Sequence, residues 1–128
     1  MAIINLTMDK FEETIAQHEI VIFDFWAEWC GPCKQFGPVF EEISEKHPNI
    51  AFCKVNVEEE EELAGMFQVR SIPTITFMRD QIVVFSNPGA IPGNALEEGI
   101  EQLVQLDMEQ VHKDLAEAQA KQAAEAQS

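Results

Sequence analysis

Residues 20–27 form a nearly continuous run of apolar side chains, interrupted only by Asp24. A run of this length and character is typical of a strand that is buried on both faces, as in a parallel sheet. Two cysteines follow it, one on each side of Gly31-Pro32, and a stretch with helical periodicity comes next. Pro32 suits the first helical position, where a missing amide hydrogen costs nothing. The sequence therefore predicts a buried strand that leads directly into a helix, with both cysteines at the junction.

This junction predicts different roles for the two sulfur atoms. Cys30 is expected to be the N-cap of the helix, with its sulfur accepting a hydrogen bond from the amide of Cys33. The unpaired amides and the partial positive charge of a helix N-terminus stabilise a thiolate. We therefore expect Cys30 to be the exposed attacking thiolate and Cys33, one turn inside, to resolve a mixed disulfide.

A static disulfide and half of a zinc site are the alternative interpretations of the cysteine pair. A structural zinc site usually has four ligands. Cys53 is the only further cysteine, and His18, His47 and His112 are scattered along the chain. A static bridge that closes so short a loop would stabilise the fold little. Redox chemistry is the favoured interpretation.

The surrounding residues resemble the active-site signature of the thioredoxin family, with Asp24-Phe25-Trp26 followed by Trp29-Cys30-Gly31-Pro32-Cys33-Lys34. The Gly-Pro pair is similar to that of thioredoxins proper, whereas protein disulfide isomerases usually carry Gly-His. The resemblance spans residues 3–106 and implies the α/β thioredoxin fold, a central mixed sheet with helices on both faces. It also implies a protein-disulfide reductase that binds no cofactor itself and receives electrons from NADPH through a flavin-containing thioredoxin reductase.

Asp24 is the one charge in the predicted buried strand. A carboxylate there must be paired or must keep its proton through a raised pKa, unless it lies at a strand edge facing water. The resemblance implies that Asp24 lies beneath Cys33 and transfers its proton through water when the mixed disulfide resolves. Lys54, in the otherwise apolar stretch 51–55, is the expected charge partner of Asp24.

The segment Ile72-Pro73-Thr74 is similar to the thioredoxin segment whose cis-proline lies beside the dithiol, although most X-Pro bonds are trans. The resemblance implies that Pro73 keeps metal ions from the thiols and that the Ile72 backbone pairs with an extended substrate. Gly89 matches a small residue that leaves room for the substrate chain. The implied substrate-binding residues are Trp29, Gly31, Pro32, Ile72 and Gly89.

Several other elements are predicted along the chain. Residues 33–47 carry apolar side chains at helical spacing, and the stripe continues past Pro38, which favours a kink over a break. The acidic run 58–62 is expected to form the solvated first turn of a helix. Residues 71–77 and 82–85 are predicted antiparallel strands, joined by a tight turn in which Gln81 replaces the family's usual glycine and is expected to strain or reshape it.

The net charge of -15, from 23 acidic and 8 basic residues, makes nucleic acids and anionic membranes poor partners. The sequence has no apolar run of membrane-spanning length and no secretory signal at its start, so a cytoplasmic location is expected. The expected partners are thioredoxin reductase and disulfide-containing target proteins. A non-catalytic role, as a thioredoxin-like binding subunit or regulator of another protein, is the alternative function.

Residues 107–128 lie outside the resemblance, which assigns residues 1–106 to the thioredoxin domain. Helical spacing nevertheless persists at Val104, Met108, Val111, Leu115 and Ala118, and the end of the chain is rich in helix-forming residues. The sequence therefore predicts that the last helix continues well beyond the domain, with a frayed outer end. A monomer is expected, with a dimer formed through this extension as the alternative.

Overall fold

The computed structural model describes residues 3–126. Its strands are β1 (Ile3–Asn5), β2 (Ile20–Trp26), β3 (Ala51–Asn56), β4 (Thr74–Arg79) and β5 (Ile82–Pro88). Its helices are α1 (Met8–Gln17), α2 (Gly31–Ser44), α3 (Glu61–Met66), α4 (Gly93–Gln105) and α5 (Met108–Ala126). No helix within residues 3–126 has the length and apolar character needed to cross a membrane.

The strands form one mixed sheet in the order β1-β3-β2-β4-β5. Strand β2 is central: it runs parallel to β3 and antiparallel to β4, and all but its last residue are buried. One hydrophobic cluster joins a face of the sheet to α2 and α4, and a second joins the other face to α1 and α3. The predicted mixed sheet with helices on both faces is confirmed.

The antiparallel pair β4 and β5 is also confirmed, and its turn has an unusual backbone. Asp80 and Gln81 have φ values of 52° and 63°, in the left-handed region that favours glycine. The expected strain at Gln81 is therefore present. Strand β4 begins only at Thr74, later than predicted, because the backbone bends through residues 71–73 before it joins the sheet.

Helix α2 continues through Pro38, so the prediction that the proline does not break it is confirmed. The prediction for the acidic run is wrong in part, because α3 begins at Glu61 and residues 58–60 precede it. Two of these carboxylates have other partners. Glu59 accepts from the side chain of Asn56 at 3.0 Å, and Glu60 accepts from the backbone amide of Met8 at 2.9 Å.

The predicted C-terminal extension is helical, but it is not a continuation of α4. Helix α4 ends at Gln105, the backbone of Leu106 is extended (φ -60°, ψ 140°), and α5 starts at Met108. Asp107 begins the new helix, because its carboxylate accepts from the backbone amide of Gln110 at 3.2 Å.

Arg79 closes the C-terminal end of α4. Its Nη1 atom donates to the backbone carbonyls of Leu103, Val104 and Leu106 at 2.9, 3.0 and 3.3 Å. The last carbonyls of a helix lack their usual partner four residues on, and within residues 3–126 only that of Leu103, of these three, also accepts a backbone bond, from the amide of Leu106 at 3.4 Å. The end of α4 is therefore stabilised by a tertiary contact.

The start of α5 rests on the domain. Met108 and Val111 are half-buried, and Nε2 of His112 lies 3.1 Å from a carboxylate oxygen of Asp80 in the β4–β5 turn. Every side chain from residue 113 to residue 126 is exposed. The extension therefore projects from the domain.

Candidate active site

A disulfide joins Cys30 to Cys33 where β2 gives way to α2, with the two Cα atoms 5.2 Å apart. Cys30 is the N-cap of α2, and its sulfur accepts a hydrogen bond from the backbone amide of Cys33 at 3.2 Å. This predicted cap is confirmed. Because the helix begins at Gly31, Pro32 occupies its second position instead of the predicted first, where a missing amide hydrogen is equally harmless.

The expected exposure of Cys30 is wrong for the disulfide form. Cys30 and Cys33 are each 4% exposed, and their sulfur atoms are joined to each other. Trp29 beside them is 69% exposed, the highest value among the large apolar side chains of the described residues. A flat apolar surface therefore adjoins the bridge.

Asp24 lies in the middle of β2 and is completely buried. Among the residues that the structure describes, neither of its side-chain oxygens has a hydrogen-bond partner. Burial raises the pKa of Asp24 to about 7, and the positive charge of Lys54 opposes that rise. The expectation of a buried carboxyl with a raised pKa is confirmed, and the alternative of a solvent-facing edge position is excluded.

Lys54 lies opposite Asp24 in the register of β2 and β3. Within the described part of the chain, no ion-pair contact joins the two side chains, so they interact through space and not through a hydrogen bond. The ammonium of Lys54 lies instead 4.9 Å from the centre of the Trp26 ring. This contact of Trp26 did not emerge from the sequence, because strand periodicity does not tell where a long lysine side chain turns.

The peptide bond between Ile72 and Pro73 is cis, as the resemblance predicts. The carbonyl of Pro73 accepts a hydrogen bond from the amide of Gly89 at 2.7 Å. Gly89 has φ 103°, which explains the glycine, and no described residue other than its two chain neighbours has an atom within 4 Å of the position that a Cβ would take there. The space expected beside Gly89 is therefore open.

The sheet register brings these two segments to the end of β2. Thr74, which follows Pro73, lies opposite Phe25 on one side and opposite Pro88 on the other. The chain leaves β2 one residue after Phe25 and runs into the disulfide. The cysteine pair, the cis-proline and Gly89 therefore lie around one end of the central strand.

Cys53 is completely buried and has no disulfide partner, and burial raises its pKa to about 12. It therefore remains a protonated core side chain. Residues 3–126 contain no cluster of three or more histidine, cysteine or acidic side chains that would hold a metal ion. The chemistry available at the site is that of the Cys30–Cys33 pair and the buried Asp24 carboxyl.

Comparison with known sequences identifies the family. The sequence model described as Thioredoxin matches residues 2–102. The chain belongs to the thioredoxin family. Thioredoxins need no bound cofactor, and the cysteine pair at disulfide distance makes the chain a thiol-disulfide oxidoreductase that reduces protein disulfides.

Individual proteins named as thioredoxins are also similar to this chain in sequence. A protein of Streptomyces coelicolor named "Putative thioredoxin 2" is 50% identical over 117 residues, 91% of this chain and 87% of its own. Such an alignment extends into α5, beyond the residues matched by the family model. The thioredoxin of Bacillus subtilis is 40% identical over 99 residues, which cover 77% of this chain and 94% of that protein.

Solved structures agree with the fold. A mutant thioredoxin from Halobacterium salinarum has a TM-score of 0.75 at 30% identity, covering 81% of this chain and 92% of its own. Plasmodium falciparum thioredoxin has a TM-score of 0.72 at 36% identity, covering 80% of this chain and 98% of its own. The sheet and its flanking helices are therefore those of the thioredoxin fold.

The buried Asp24 carboxyl makes stability depend on pH. Its pKa is about 7 in the folded protein against an ordinary value of 3.8, so the folded protein binds more protons than the unfolded chain between these values. The free energy of unfolding is therefore expected to fall as pH rises from about 4 to about 7, by about 4 kcal/mol from this group. Asp24→Asn removes the carboxyl, so the difference between wild-type and variant stability isolates its contribution.

Urea unfolding of the oxidised proteins at a series of pH values measures this difference. The surface variant Asp114→Asn is the matched control, with a difference from wild type that stays within about 0.5 kcal/mol. A wild-type minus Asp24→Asn curve that is flat from pH 4 to pH 8 would contradict the assignment of a buried, proton-binding carboxyl.

Proposed function

We propose that Cys30 is the nucleophile and Cys33 the resolving thiol in the reduction of target disulfides. The Cys30 thiolate attacks one sulfur of the target, forms a mixed disulfide and releases the other target sulfur as a thiolate. The Cys33 thiolate then attacks the sulfur of Cys30, which forms the bridge seen here and releases the second target sulfur. Two electrons pass to the target, and the protein ends oxidised.

The observation that carries this assignment is the hydrogen bond from the Cys33 amide to the Cys30 sulfur. The same amide, with the helix N-terminus behind it, favours the thiolate form of Cys30 once the bridge is reduced. Cys33 lies inside the first turn, and in the described part of the chain its sulfur has no corresponding hydrogen bond from an amide. The two thiols therefore differ in nucleophilic character although they are close in space.

Asp24 is proposed to accept the proton of Cys33 through water during the resolving step. A carboxyl with a pKa of about 7 exchanges its proton readily at neutral pH, which suits a general base. Lys54 contributes as the charge that opposes the rise of this pKa. Pro73 is proposed to line the site beside the sulfurs and to keep metal ions from them.

The target is proposed to bind as an extended chain across the end of β2. The open space beside Gly89 and Gly31 and the exposed ring of Trp29 support this surface. Ile72 precedes the cis bond and would supply backbone groups to the target, in the manner of an added strand. The proposed binding residues are Trp29, Gly31, Pro32, Ile72 and Gly89.

The oxidised pair is proposed to be recycled by a flavin-containing thioredoxin reductase that uses NADPH. This step would place the protein in electron transport and cell redox homeostasis. The proposed location is the cytoplasm, where a reducing environment keeps a free cysteine such as Cys53 unpaired. The protein is proposed to act as a monomer.

Single substitutions of the two cysteines distinguish their proposed roles. Cys30→Ser is expected to reduce the rate of insulin-disulfide reduction, driven by NADPH and thioredoxin reductase, to that of the uncatalysed exchange. Cys33→Ser keeps the nucleophile but cannot resolve the complex, so a stable mixed disulfide with the target is expected, visible by non-reducing electrophoresis. Cys53→Ser is the matched control and is expected to keep wild-type turnover.

Trapping through Cys33 in Cys30→Ser, or turnover in that variant, would contradict the assignment. Binding of a target that persists in Cys30→Ser without turnover would instead support the alternative role as a binding subunit or regulator.

Asp24→Asn is expected to slow turnover at pH 7 by on the order of 100-fold, because the variant cannot accept a proton. The loss is expected to shrink as pH rises, since Cys33 then ionises without help. The measurement is the pH profile of single-turnover reduction by the pre-reduced protein. A profile that matches wild type from pH 6 to pH 9 would remove Asp24 from the mechanism.

Residues 1–106 are proposed to be the catalytic domain and residues 107–128 an extension that the chemistry does not require. A stop after Leu106 retains all three carbonyls that Arg79 binds. The truncated protein is therefore expected to keep its insulin-reductase turnover within about twofold and its stability within about 1 kcal/mol. Loss of turnover in a folded truncation would show that the extension contributes to the site.

Sedimentation of the full chain at twice the mass of one chain, reversed by the truncation, would reveal a dimer formed through α5.

A further inference from the structure

A cavity of about 310 Å³ opens where β1, β2 and β3 end. The side chains of Trp26, Lys54, Asn56, Glu59 and Glu60 line it. The ammonium of Lys54 lies 4.9 Å from the centre of the Trp26 ring, within the range of a cation-π interaction. The lysine is therefore held at the wall of a cavity and not in contact with a carboxylate.

Two groups on one strand compete for this ammonium. Asp24 and Trp26 are two residues apart on β2, so their side chains lie on the same face of the sheet. Lys54 is directly opposite Asp24 on β3. The ammonium is nevertheless in contact with the ring, and neither oxygen of Asp24 has a hydrogen bond to any residue in the described range 3–126.

The other charged groups around the cavity do not explain this placement. Glu59 and Glu60 each use an oxygen to accept from Asn56 and from Met8, and no ion pair of the described residues joins either of them to Lys54. On the far side of β2, β4 places the apolar Ile75 opposite Asp24. On α2, the buried titratable group of the first turn is Cys33, which is in the disulfide.

The ammonium of Lys54 also has room on the side that faces helix α2. A Cβ built on Gly37 would lie 3.6 Å from Nζ of Lys54, so the ammonium packs under the helix at a position that has no side chain. The ring of Trp26 and the backbone of α2 thus bound the ammonium from two directions.

We propose that Trp26 is a positioning residue whose ring holds the ammonium of Lys54 out of hydrogen-bonding contact with the carboxyl of Asp24. A contact ion pair in this buried position would favour the ionised carboxylate, and a carboxylate fixed in that form is a weak base toward Cys33. Loss of the lysine would have the opposite effect and favour the protonated acid. The ring thus keeps the ammonium close enough to lower the pKa of Asp24 but too far away to form a contact ion pair with it. This inference rests on the proposed role of Asp24 as the base.

The test is a double-mutant cycle read on Asp24 itself. The carboxyl ¹³C shift of Asp24 is followed by NMR against pH in the oxidised protein, with Trp26 kept or changed to Phe or Leu. Each protein is made with Lys54 and with Lys54→Met. Because the ring attraction weakens from Trp to Phe and is lost in Leu, the Asp24 titration midpoint is expected to fall stepwise with Lys54 present, by about 0.5 to 1 pH unit in Trp26→Leu.

In the Lys54→Met background the same Trp26 changes are expected to leave the midpoint in place, because the ammonium is gone. Trp29→Leu is the matched control, because Trp29 is exposed and the cation-π contact of Lys54 is with Trp26, and it is expected to leave the midpoint unchanged in both backgrounds. Trp26→Phe keeps an aromatic ring at the position and so provides a reading if Trp26→Leu does not fold.

Equal shifts in both backgrounds would overturn the proposal, since the ring would then act only by excluding water. An unchanged or raised midpoint with Lys54 present would overturn it as well. The titration uses no substrate, so its outcome is independent of turnover. An Asp24→Asn protein with full activity would remove the carboxyl from the mechanism and leave the coupling of Trp26 and Lys54 as measured.

Discussion

The position of the central strand β2 determines both the protein's fold and its chemistry. Strands pair with it on both edges and hydrophobic clusters cover both of its faces, so its backbone is fixed along its length. The chain leaves this strand and reaches the cap of α2 within a few residues, which sets where the sulfur of Cys30 lies. Because a fixed backbone positions the reactive atoms, little conformational freedom has to be lost when a target binds.

The burial that fixes β2 also creates an unfavourable charge within it. A carboxyl without a hydrogen-bond partner inside the sheet lowers the stability of the protein when it ionises. Hydrophobic contacts on both faces of the strand offset this cost, and the carboxyl gains a pKa close to neutrality. The strand thus has a stability cost at the one charged position of its buried run, a pattern that is common in active sites.

Local sequence patterns predicted those parts of the structure that depend on neighbours along the chain. The buried run ending in the dithiol predicted β2, the start of α2 and the burial of Asp24, because strand periodicity and helix capping act over a few residues. The cis bond at Pro73 needed the family resemblance, since residue statistics favour trans. Local patterns did not predict where α3 begins, where α4 ends or which way the Lys54 side chain turns, because these features depend on tertiary contacts.

Arg79 illustrates such a contact, because it reaches the end of α4 from a strand 27 residues earlier in the chain. The guanidinium ties the last carbonyls of that helix to the sheet, and the helix that follows starts afresh with its own cap. Because Arg79 belongs to β4 and His112 of α5 contacts Asp80, a force on the extension would pass through these contacts to the β4–β5 hairpin. Arg79 lies opposite Ile20, so cargo attached to the tail would load the sheet at the end of β2 that is far from the redox centre.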